Sequence, residues 1–87
     1  MLAALLAIAG CQSAPVQEMS DARQAISVAQ KAGAQELAPS DLKAAMEYLE
    51  SAEGYISQRQ YDRARRDAVN AKASALDALR LSSADQP

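Results

Sequence analysis

The stretch Tyr61-Asp62-Arg63-Ala64-Arg65-Arg66-Asp67-Ala68-Val69-Asn70-Ala71-Lys72-Ala73-Ser74-Ala75-Leu76-Asp77-Ala78-Leu79-Arg80-Leu81 decides the fold. Ala64, Ala68, Ala71, Ala75 and Ala78 recur at steps of four, three, four and three, which is the a/d seam of a coiled coil. Such a seam carries nothing beyond Cβ, so it lets helix axes approach unusually closely. Val69, Ala73, Leu76 and Leu79 form an adjacent apolar row, expected to pack a further helix. A helix ending near Leu81 would be roughly 30 Å long. No stretch of the chain alternates apolar with polar residues and carries branched side chains, which excludes a β reading.

Upstream, Pro39-Ser40-Asp41 is a helix start signal, with Pro halting whatever precedes it, Ser40 expected to cap and Asp41 suited to the first turn. A helix over about 40–57 then turns Leu42, Ala45, Leu49, Ala52 and Ile56 inward, flanked by Met46, Tyr48 and Tyr55. Gly54 within it costs about 1 kcal/mol relative to Ala, or else admits another helix at close range. Ser57 to Gln60 reads as a polar turn. Earlier still, Val16, Met19, Ala22, Ile26, Ala29 and Gly33 mark a stripe over a helix at about 16–32. Glu18 and Asp21 lie early and Lys31 late, which complements the dipole. Gly33 suits a left-handed C′ position. Residues 34–39 are expected to be a loop with one irregular turn around Leu37, its apolar anchor. Short connections then give an all-α fold, a small antiparallel three-helix bundle running up, down and up.

The first eleven residues stand apart. Leu2 to Ala9 is apolar but too short to span a bilayer, which takes roughly 20 residues, and it has the length of a signal h-region. It opens without the Lys or Arg that usually begins an export signal. Ile8-Ala9-Gly10-Cys11 resembles the bacterial lipobox. That resemblance implies cleavage before Cys11, a diacylglycerol thioether on its sulfur and an N-acyl group on the new amino terminus. Gln12 at the next position, by similarity to lipoprotein sorting rules, implies the outer membrane, with the chain anchored on its periplasmic side. The expected organisation is a signal peptide at 1–10, a lipidated tether at 11–15 with Pro15 closing it or opening the helix, a bundle at 16–82 and a disordered tail at 83–87.

The bundle also resembles a family of short alanine-rich helical domains of unknown function found in bacterial lipoproteins. The resemblance rests on Ala25-Ile26, Ala32-Gly33-Ala34, Ala38-Pro39 and Tyr61-Asp62-Arg63-Ala64, and covers about Val16 to Leu81. The last motif is also similar to the turn of a tetratricopeptide-like helical hairpin, in which a Tyr packs under its neighbour. Members of the family occur alone or ahead of a peptidoglycan-binding domain similar to that of outer-membrane protein A. Residues 1–87 contain no such domain, so wall binding is not carried over. The resemblance implies a fold and an address without an activity.

Composition narrows the chemistry. Eighty-seven residues with a formal net charge of −2 make no electrostatic case for nucleic acid. The chain has no His, Trp or Phe, and a single Cys that the lipobox commits to acylation. A Ser or Cys nucleophile therefore lacks its usual base, no metal-ligand cluster appears, and Gly10, Gly33 and Gly54 form no phosphate loop. Glu47, Glu50 and Glu53 make an acidic ridge that reads as a solvated helix face. A non-enzymatic protein is expected, with neither catalytic residues nor cofactor and no small-molecule substrate identified.

Two constellations remain as candidate partner-binding residues. Arg59, Arg63, Arg65 and Arg66 crowd the second turn and the start of the third helix. In an antiparallel hairpin Glu50 and Glu53 would pair with Arg63 and Arg66 and set the register. Arg59 and Arg65 would be left for an anionic envelope component, lipid phosphate or cell wall. Tyr48, Tyr55 and Tyr61 are expected at the hairpin end, chiefly to give a thin core bulk and otherwise to meet a partner. A chain this small buries little core and is marginal alone, so a protein partner or self-association is expected. The leading expectation is a lipid-anchored helical adaptor or structural subunit of an envelope complex. The alternative is a binding module acting through the arginines.

Overall fold

The computed structural model describes residues 13–84. The signal segment, its cleavage motif Ile8-Ala9-Gly10, Cys11 and residues 85–87 lie outside the described residues. The elements are α1 (Val16–Lys31), α2 (Ala34–Leu37), α3 (Pro39–Ser57) and α4 (Tyr61–Ala84). The three long helices form the expected small bundle, and no strand occurs among the described residues.

Every alanine of the seam, Ala64, Ala68, Ala71, Ala75 and Ala78, is fully buried. Facing them are Ala22, Ala25 and Ala29 from α1 and Ala45 and Ala52 from α3, all buried. α4 packs closely on both α1 and α3, which meet each other less extensively. Glu18 of α1 reaches Arg65 and Asp21 reaches Lys72, so α1 runs parallel to α4. Arg23 reaches back to Glu53 near the end of α3, so α3 runs against both. The seam continues to Ser82, four residues past Ala78, which is buried and donates its hydroxyl to the Ala78 carbonyl at 2.8 Å. α4 continues to Ala84, three residues beyond the expected end.

Several expectations need correction. Val16 is 72% exposed, because the N-cap residue Pro15 is buried in its place and accepts the Met19 N–H. The segment after α1 is a one-turn helix rather than a loop. Its Ala34 and Ala38, four residues apart, face the bundle, which turns Leu37 outward to 38% exposure. Ser40 does not cap: Pro39 is already inside α3, whose N-cap is Ala38 with no side-chain bond. Gly54 admits no close helix, since a Cβ there would meet nothing within 4 Å. Of the second row on α4 only Leu79 packs against the core; Val69, Ala73 and Leu76 stay exposed. α1 and α3 both sit on the seam, leaving no helix for that row.

Gly33 takes the left-handed conformation expected of it, at φ 90°, and its N–H bonds the Gln30 carbonyl. The α3–α4 corner closes with Arg59 in the same region at φ 60°. There Arg59 N–H reaches the Ile56 carbonyl at 2.9 Å and Gln60 N–H reaches Tyr55 at 2.8 Å. This pair of bonds is a complete Schellman motif with arginine where glycine is usual.

Candidate functional site

The arginine end does not assemble as the sequence suggested. Arg65 turns toward α1, its guanidinium 3.5 Å from Glu18 and 3.6 Å from Asp62. It also donates to the Ser13 carbonyl at 3.2 Å, tying the segment before α1 to α4. Arg63 stands over the Tyr55 ring, 5.9 Å from its centroid, within cation–π reach. Glu53 pairs with Arg23 of α1 at 3.0 Å, so the expected pairing of Glu50 and Glu53 with Arg63 and Arg66 does not form. The reason is geometric: α1 lies against α3 where those glutamates emerge and supplies the nearer cation. Arg59 and Arg66 are exposed, with no ion pair among the described residues.

The tyrosines do not fill the core. Tyr55 and Tyr61 are half-buried near the corner, and Tyr48 is exposed about 10 Å back along α3. Tyr48 instead edges a small recess with Ala44, Glu47, Ser51 and Asp67. Asp67, 8% exposed, accepts a hydrogen bond from the Ser51 hydroxyl at 2.6 Å. The four-three repeat of alanines does not name it: it lies beside the seam, three residues after Ala64 and four before Ala71.

The main concavity is a groove between α1 and α3 of about 690 Å3. Ile26, Leu42 and Leu49 line it with the exposed Met46, and Gln30, Lys43, Glu47 and Glu50 form its edges. These residues are legible singly as inward positions and as an acidic ridge. Their meeting is not, since it depends on larger side chains holding α1 and α3 apart while both settle on the small seam. The groove can hold an apolar side-chain row. It offers no nucleophile–base pair.

Among the described residues no three of His, Cys, Asp or Glu are placed to hold a metal ion. No helix there is long and apolar enough to cross a membrane. No curated protein and no solved structure matches the chain. Residues 17–86 match the family described as a domain of unknown function, DUF4398, and with the match covering most of its length the chain belongs to that family.

Proposed function

We propose that this chain is a non-enzymatic lipoprotein, held on the periplasmic side of the outer membrane by lipid on Cys11, whose bundle serves as a helical adaptor or structural subunit of an envelope complex. The observation that carries the adaptor reading is the α1/α3 groove, whose floor is the partly buried Leu49 with the outer edges of the buried Ile26 and Leu42, and beside which Met46 stands 47% exposed. A grooved helical surface of this kind suits an amphipathic helix laid into it. The anchor rests on Ile8-Ala9-Gly10-Cys11 after a short apolar run. One acyl chain holds only marginally whereas two or more anchor stably, so diacylglycerol and N-acyl groups on Cys11 would keep the bundle at the membrane surface.

The alternative, an anionic ligand on Arg59, Arg63, Arg65 and Arg66, is weakened by the internal engagement of its members. Arg65 is already held by Glu18 and Asp62, and Arg63 covers Tyr55. Membrane fractionation of Cys11→Ala tests the anchor: release into the soluble fraction is expected, and retention in the membrane would overturn it. Affinity capture of the intact protein from detergent extracts tests the adaptor role, with salt resistance expected of a groove-filled contact and salt sensitivity expected of the arginine alternative.

A further inference from the structure

The face of α4 turned away from the bundle carries a row that no helix covers. Asp62, Arg66, Val69, Ala73, Leu76 and Arg80 follow at steps of four, three, four, three and four, and all six are exposed. Residues at that spacing share one helix face, here opposite the buried seam. Val69 is 51% and Leu76 43% exposed, with Arg66 and Arg80 flanking them. The groove on the far side of the bundle has the complementary make-up. Its Leu42 and Leu49 are seven residues apart, as are Val69 and Leu76, so both pairs span about 10 Å. Its edge carries Glu47 and Glu50, neither in an ion pair among the described residues, and Arg66 has none either.

We propose that the outer face of α4 in one copy seats in the α1/α3 groove of a second copy, a contact that rests on the adaptor reading and names its partner. α4 of the incoming copy lies antiparallel to α3, with Leu76 above the buried Leu42 and beside the exposed Met46, Val69 over the partly buried Leu49 and Arg66 against Glu50. The opposite sense, with Val69 over Leu42, would carry Arg66 to the level of Pro39, about 16 Å along α3 from Glu50, and lose that pair. The two surfaces lie on opposite sides of the molecule, so the contact is head-to-tail and adds copies in a line. Each incoming α4 then points as the chain's own α4 does. All α1 starts emerge at one end, which keeps every anchor on the same membrane surface.

The test is co-capture of two differently tagged full chains, co-expressed and extracted in mild detergent at physiological salt. Wild-type copies are expected to capture each other. Arg66→Glu or Glu50→Arg alone is expected to cut capture at least about fivefold, by setting like charges together. The double variant Arg66→Glu/Glu50→Arg, which rebuilds the pair in reverse, is expected to recover capture to within about twofold. Both residues are exposed, and unchanged helicity by circular dichroism shows that each variant folds. Absent wild-type capture, capture that the single changes leave intact, or loss that the double variant does not repair each overturns the proposal. Fractionation of the same cells reads the anchor separately, so a membrane-bound protein that fails to capture itself sinks this contact alone.

Discussion

Ser51 on α3 donates its hydroxyl to Asp67 on α4 at 2.6 Å, and Asp67 is buried beside the alanine seam. A buried carboxylate that loses its donor keeps its desolvation cost. Ser51→Ala is therefore expected to destabilise the bundle by about 1–2 kcal/mol, read as a lowered urea midpoint. In an Asp67→Ala background the same change should cost little, and equal losses in both backgrounds would show that the bond contributes nothing.

The seam sets a second expectation. Ala71 is fully buried between α1 and α3, whereas Ala73, two residues on, faces solvent. Ala71→Leu should cost about 1–3 kcal/mol or more through overpacking. Ala73→Leu should change stability by less than about 0.5 kcal/mol. Because the substitution is the same in one helix, intrinsic propensity cancels between them, and similar urea midpoints would contradict the packing described.

Two glycines should respond in opposite directions. Gly33→Ala puts a Cβ on a backbone at φ 90° and is expected to cost about 1 kcal/mol. Gly54→Ala adds a Cβ to an open helix position and is expected to gain about 0.5–1 kcal/mol. Thermal unfolding of the two variants should bracket the parent, and a shared direction of shift would contradict one of these backbone assignments.

Arg59 offers the reverse experiment. It holds a left-handed conformation at φ 60° in the position where the Schellman motif favours glycine. Arg59→Gly is expected to raise stability by about 0.5–1 kcal/mol, seen as a higher melting temperature. A lowered one would mean that the arginine side chain holds the corner.

The ion pairs should be minor. Arg65 and Glu18 are 3.5 Å apart with side chains 39% and 35% exposed. Arg65→Met is expected to cost less than about 1 kcal/mol at low salt. Repeating the urea titration near 1 M salt should erase most of that difference through screening. A loss that persisted there would point to packing rather than charge.

Much of this architecture is written in spacing. The alanine seam is legible because one residue type repeats at steps of four and three, and the periodicity names each buried alanine from Ala64 to Ala78, though not Asp67 beside them. Gly33 is legible because only its backbone freedom suits the end of α1. The arginines are not, because a long flexible side chain reaches several partners and the rotation of α1 on α4 chooses among them. That rotation gives Arg65 to Glu18 and Glu53 to Arg23. The exposure of Tyr48 and Leu37 is hidden for a related reason: Ala34, Ala38, Ala45 and Ala52 take the inward places on their own turns, so these larger side chains face out. The groove belongs to two helices joined by a short connection, and neither reveals it alone.

The seam has a thermodynamic consequence as well. Alanine has no rotamers to freeze and little apolar surface to hide, so a bundle centred on it folds with a small change in heat capacity. Its stability curve should be flat, varying little across the range over which a leucine-centred core of the same length strengthens and fades. What temperature leaves nearly constant, the distance between helix axes controls, because methyl groups without further atoms cannot rearrange to fill a gap. Specificity in this protein resides in how near its backbones stand.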